Sequence, residues 1–158
     1  PMLLALYDFL GDNEIWGVLN PNKKKVRSVQ LARGKYIDES QKIGQVKTQS
    51  PLLDKTKVAL ITNLATGSSG EVTALAFKGR DNTIFIGEKT NGKTTANMIV
   101  DLPFGAYMAL STGFDCDRNG NFYKYIVPDI TISKQDNFDD LLLDKNIQEG
   151  IKFINTEN

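Results

Sequence analysis

Three stretches decide how this chain is read: Val58-Ala59-Leu60-Ile61-Thr62, Thr66-Gly67-Ser68-Ser69-Gly70-Glu71 and Thr83-Ile84-Phe85-Ile86-Gly87. The first and last are continuous apolar runs of strand length, the pattern of strands buried on both faces. The middle one is a turn of small residues. It leads into Glu71 to Lys78, where Val72, Leu75 and Ala76 make an apolar stripe at helical spacing. Ser68 or Ser69 can cap that helix, with Glu71 completing a capping box. Strand, tight turn, helix and strand in that order predict a parallel pair joined by a right-handed crossover.

Upstream, Met2 to Leu10 predicts a short, largely buried helix, stopped by Gly11-Asp12-Asn13. Glu14 to Leu19 predicts a strand, ended by Asn20-Pro21-Asn22. Lys23-Lys24-Lys25 reads as a solvated hairpin tip, since a polyanion patch needs more positive charge nearby. Val26 to Ile37 suggests more sheet, and the polar stretch Asp38 to Asp54 a loop. Downstream, Tyr107 to Thr112 alternates as a strand and Asp117-Arg118-Asn119-Gly120 is a hairpin turn. Tyr123 to Val127 returns as a strand, Ile130-Thr131-Ile132 is a last short one, and Asn146 to Ile154 is a helix with Ile147, Ile151 and Ile154 on one stripe. One α/β domain over residues 1–158 accounts for all of it. The chain opens in mid-pattern at Pro1-Met2-Leu3-Leu4, so it is expected to be the C-terminal part of a larger protein.

Composition excludes several function classes. The 158 residues suffice for one domain with a sizeable core. Nineteen basic residues balance nineteen acidic ones, which leaves no electrostatic footprint for nucleic acid. There is no histidine, so no Ser-His-Asp or Cys-His site and no imidazole-ligated metal can be built from this chain alone. The single cysteine, Cys116, excludes an internal disulfide and a cysteine-cluster metal site. No cofactor is implied. No apolar run approaches the roughly 20 residues of a membrane span.

Three constellations compete for the chemistry. Gly87-Glu88-Lys89-Thr90-Asn91-Gly92-Lys93-Thr94 satisfies the phosphate-loop pattern G-x-x-x-x-G-K-[ST] at each specified position. A phosphate loop also needs a helix starting at its Lys-Thr pair, and the β-branched run from Thr94 to Val100, with Pro103 soon after, is a poor helix. Asp115-Cys116-Asp117-Arg118-Asn119-Gly120 resembles the opening of a calcium loop, but Ile126 stands where the bidentate Glu should be; a hairpin turn explains it better. The third is Ser68 with Lys93. A serine between a buried strand and a helix N-terminus has free backbone N–H groups beside it, suited to an oxyanion. Without histidine the base must be sought elsewhere, and a lysine can serve if it is held neutral. Parallel strands would bring Ser68 and Lys93 to the same sheet edge, where ligands bind in open α/β sheets.

On these residues the run from Lys57 to Ile132 resembles the tail-specific, or C-terminal processing, serine peptidases. The motifs that carry the likeness are Val58 to Thr62, Ser68-Ser69-Gly70-Glu71, Gly87-Glu88-Lys89-Thr90-Asn91-Gly92-Lys93 and Pro128-Asp129-Ile130. Thr66 to Glu71 and Phe77-Lys78-Gly79-Arg80 resemble the branch with nisin-resistance-type proteins. The resemblance implies a crotonase-like peptidase core, of which this chain is the C-terminal part. It implies Ser68 as nucleophile and Lys93, 25 residues later, as general base. The Ser69 N–H becomes an oxyanion donor. It implies that Asn97, in place of the family's glutamine, orients Lys93. It further implies an upstream part carrying oxyanion glycines and, in the branch named, a histidine base. The implied substrate is a peptide or protein C-terminal tail, and the implied location is extracytoplasmic. Two other functions stay open on the sequence: a nucleotide-binding module using residues 87–94, and a pseudoenzyme that binds peptides without cutting them.

Overall fold

The structure is a computed structural model and describes residues 2–47 and 53–156. Two sheets organise it. The larger is antiparallel, built from β1 (Glu14–Leu19), β2 (Lys25–Ala32), β3 (Lys35–Asp38), β4 (Gln41–Gln45), β7 (Thr95–Asp101) and β8 (Tyr107–Cys116), in the order β4-β3-β2-β1-β8-β7. The smaller is parallel: β5 (Val58–Thr62), β6 (Thr83–Gly87) and β9 (Ile130–Thr131), with β6 central. The predicted parallel pair is there, with Val58 opposite Thr83 through to Thr62 opposite Gly87.

Helix α2 (Ser69–Phe77) lies between the sheets and joins them. It packs on β1 and β8, and its run Ala74-Leu75-Ala76-Phe77 is wholly buried. A helix apolar on every side in its last turns has no face left for solvent. The same core takes Leu3, Leu4, Tyr7 and Leu10 from the N-terminal segment, Ile15, Val29 and Leu31 from the large sheet, and Phe85 from β6. That segment is a 3-10 turn, Met2–Leu6, running into a short helix α1, Tyr7–Leu10. The C-terminal helix α3 (Lys145–Asn155) covers β5 and β6. Asp144 caps it, its side chain accepting the Asn146 and Ile147 N–H groups.

Four local expectations need correction. The polar stretch after Asp38 contains strand β4, whose side chains are nearly all exposed; a strand at a sheet's edge has no buried face to write an alternation into the sequence. Residues 48–52 of that expected loop lie outside the described residues. Strand β5 is not buried on both faces, because it edges the parallel sheet and Ile61 is exposed. Gly113 does not end β8. A Cβ there would stand 2.6 Å from the Leu19 carbonyl oxygen, so the glycine admits a close crossing of β1 and the strand continues to Cys116. Tyr123 to Val127 is not a strand: past the Asp117–Gly120 turn, pairing is reduced to the bridge between Cys116 and Phe122.

The hairpin tip is also more than solvated charge. Lys23 Nζ sits 3.4 Å from the centroid of the Phe114 ring and 4.0 Å from that of Phe122, a cation–π contact to both.

Candidate active site

The site begins with the turn between β5 and α2. Ser68 is the helix N-cap, and its backbone is at φ 51°, ψ −113°. A positive φ on a residue with a Cβ is strained and persists only where surrounding contacts over-determine it. Here they come from Glu71. The Ser68 N–H donates to Glu71 Oε2 at 3.0 Å, the capping-box relation expected. The same carboxylate reaches across to the β6–β7 loop. It accepts the Lys93 N–H on Oε2 at 2.7 Å, and on Oε1 the Gly92 N–H at 2.7 Å and the Thr90 hydroxyl at 2.6 Å. Glu71 is fully buried, so these four charge-assisted bonds meet its need for partners. It is a structural hub fastening the Ser68 turn to the Lys93 loop.

Further bonds lace the two loops. Asn91 N–H donates to the Thr66 oxygen at 2.8 Å and Asn91 Nδ2 to the Leu64 oxygen at 3.0 Å. Gly67 lets them close up: a Cβ there would be 3.1 Å from Asn91 Cβ and 3.8 Å from Lys93 Cδ. The lysine stem therefore runs past the residue preceding Ser68.

Ser68, Ser69, Lys93 and Asn97 all line one cleft of about 260 Å³. Among the described residues no hydrogen bond joins Ser68 Oγ to Lys93 Nζ, and both residues are exposed. Ser69 is the first helical residue, so its N–H has no acceptor within the helix. Asn97 is held on β7 by Ser111, whose hydroxyl donates to Asn97 Oδ1 at 2.8 Å.

Sequence reasoning missed part of the lining. Met2, Trp16, Arg27, Val72, Thr95, Ala96 and Asp115 complete the cleft. Asp115 is the notable one, 4% exposed and with no hydrogen bond to its carboxyl among the described residues. Burial pushes that carboxyl up to about 6; the Glu71 charge adds to the rise and Arg27 opposes it. The available signal was an acidic residue closing the run Gly113-Phe114-Asp115-Cys116, which the turn reading absorbed together with Asp117.

The phosphate-loop reading does not survive. Thr94 is followed by strand β7, not a helix, and the Gly92 and Lys93 N–H groups that would cradle phosphate are taken by Glu71. The calcium-loop reading falls too. Asp117 Oδ1 accepts the Asn119 and Asn121 N–H groups at 2.9 and 2.8 Å, and Oδ2 the Tyr123 hydroxyl at 2.9 Å, so the carboxylate closes a turn. Among the described residues no cluster of acidic or cysteine side chains could hold a metal ion.

The profile of Peptidase family S41 matches residues 12–132. The chain belongs to that family. It is 34% identical over 134 residues to the nisin-resistance protein of Lactococcus lactis subsp. lactis, a match covering 82% of this chain and 41% of that protein. It superposes on a lipoprotein from Streptococcus agalactiae with TM-score 0.69 and 27% identity, over 98% of this chain and 48% of that one. It also superposes on a photosystem II D1 C-terminal processing protease with TM-score 0.62, over 94% of this chain and 33% of that one. At 18% identity that likeness concerns the mixed α/β fold alone. The chain spans about half the length, or less, of these relatives.

Proposed function

We propose that this chain is the C-terminal part of a crotonase-like serine peptidase domain that cuts peptides or proteins near their C-termini. The observation that carries the reading is the Glu71 carboxylate, which binds the Ser68 N–H and the Lys93 N–H on a single oxygen. It ties a serine turn to a lysine loop, and catalysis by the pair would need the two held in one geometry. In this reading Ser68 Oγ attacks the scissile carbonyl carbon and its proton passes to Lys93 Nζ. The Ser69 N–H donates to the oxyanion. Collapse expels the amine, which takes the proton from Lys93, and water then releases the acyl group from Ser68. Asn97 is a positioning residue: with Ser111 on one lone pair of Oδ1, the other is free for the Lys93 ammonium. The desolvation a neutral lysine needs comes from the rest of the protein and the substrate.

The names of the relatives support the setting. One is called a nisin-resistance protein and one a lipoprotein, so we place this protein outside the cytoplasm at the cell envelope, acting on a peptide tail. Among the described residues no helix is long and apolar enough to cross a membrane.

Ser68→Ala in the full-length protein is expected to abolish peptide cleavage; undiminished turnover would refute the assignment. The exposure of Lys93 favours a second reading of the base, a histidine from the upstream part. Lys93→Ala separates the two. A loss of about a thousandfold or more in kcat marks Lys93 as the base, and near-normal turnover hands that role to the histidine.

A further inference from the structure

The proposed mechanism leaves Asp115 unused, although it lines the cleft of Ser68. It stands on β8 opposite Val18 of β1, and Val18 stands opposite Arg27 of β2. Directly opposed residues share a face of a sheet, so Arg27, Val18 and Asp115 form a row across the large sheet. The start of α2 lies over that row, because Ser68, Ser69 and Val72 line the same cleft as Arg27 and Asp115. Asp115 is buried, and among the described residues its carboxyl joins no ion pair, with Lys93, Arg27 or any other cation. A buried carboxylate without a partner is costly. One that faces a cleft can be satisfied from the cleft.

The other charges beside it are already matched. Arg27 donates from Nε to Asp38 Oδ1 at 2.8 Å and makes a second bond to Oδ2. Glu71 is held by its four donors. Lys93 works as a neutral amine in the peptidase reading. Asp115 is then the one unmatched charge lining the cleft among the described residues. The walls near it are apolar, from Met2 of the N-terminal segment, Trp16 of β1, Val72 of α2 and Ala96 of β7. At about 260 Å³ the cleft is on the scale of one long side chain, below that of most cofactor sites. An apolar tube with a carboxylate in its wall suits a lysine or arginine. The methylene stem lies along the walls, and the cationic head reaches the acid.

We propose that Asp115 is a specificity-determining residue, which receives the cationic head of a lysine or arginine at the residue whose carbonyl Ser68 attacks. The proposal rests on the peptidase reading of Ser68. The unpaired carboxylate is kept at a cost in stability, and the arriving cation supplies the missing partner.

The test uses the full-length protein and pairs of quenched-fluorescent decapeptides. Each pair differs at one position, lysine against its uncharged counterpart norleucine, and that position is moved along the peptide. Lysine should raise kcat/KM about a hundredfold at the residue supplying the cut carbonyl, and have little effect elsewhere. Asp115→Asn should bring that ratio to within about threefold of one at an undiminished melting temperature, while Asp115→Glu keeps a clear preference for lysine. The ratio should also grow as pH rises through about 6, where Asp115 ionises. Arg27 of β2, Glu71 of α2 and Lys93 of the β6–β7 loop face the same group, whereas β1 and β7 line the cleft with uncharged residues. Those three charges act alike on both peptides of a pair and cancel in the ratio. Cleavage that depends on Ser68 but shows no lysine preference overturns this proposal alone, as does a preference that Asp115→Asn leaves intact. Cleavage that survives Ser68→Ala overturns both readings.

Discussion

Glu71 and Asp115 are both buried carboxyl groups near Ser68, and their surroundings give them opposite consequences. Glu71 has four donors converging on it. A Gln at that position presents an NH2 group to at least one of those donors and leaves it unsatisfied. Glu71→Gln is therefore expected to lower unfolding stability by about 2–4 kcal/mol and to lower cleavage as the two loops part; urea titration and kcat/KM measure each. Asp115 has no such donors, so burial raises its carboxyl to about 6 from an ordinary 3.8. The folded state then binds its proton more tightly than the unfolded state. Stability from this group is complete below about pH 4 and is lost as pH rises through 6, amounting to about 3 kcal/mol. Asp115→Asn is expected to remove that decline and to be more stable than wild type at pH 7.5, as read from urea midpoints across pH 4 to 8. An unchanged pH profile would show that Asp115 is solvated.

At the scale of elements, the site is two loops on neighbouring parallel strands, and both loops are shaped by short-range chemistry. Ser68-Ser69-Gly70-Glu71 is legible because capping follows a local rule, and the motif spacing to Lys93 is local on each strand. The reach of Glu71 to Gly92 and Lys93 is not legible, since no local pattern records a bond between segments about twenty residues apart. The place of β7 at the end of the large sheet was equally hidden: β-branched residues from Thr94 to Val100 argue against a helix but say nothing about which side of a strand is paired. Strand β4 escaped for want of a buried face. Helix α3 was legible from its spacing, and its cap makes a checkable claim. Backbone donors, first that of Asn137, hold the Asp144 carboxyl below its ordinary value. Asp144→Ala should cost about 1–2 kcal/mol near neutral pH and less in acid, as the wild-type carboxylate protonates, which thermal melts at two pH values would show.

For the whole molecule, the proposed function draws on Ser68, Lys93 and the Ser69 N–H at a helix start, on a frame where α2 bridges two sheets. Its relatives are about twice as long or more. An oxyanion hole with one donor missing loses about 10²–10³ in rate. The 158-residue chain alone is thus expected to be nearly inactive on peptides that the full-length protein cuts. Comparable turnover by the two would show that the catalytic groups are complete here.

The most direct measurement is covalent. A fluorophosphonate forms a phosphorus–oxygen bond to an activated serine and expels fluoride. Treated with it, the full-length protein should gain one adduct per chain, mapped by peptide mass spectrometry to the segment holding Ser68, and Ser68→Ala should gain none. Active cleavage with Ser68 unmodified, or an adduct on another serine, would contradict the assignment of Ser68 as the nucleophile.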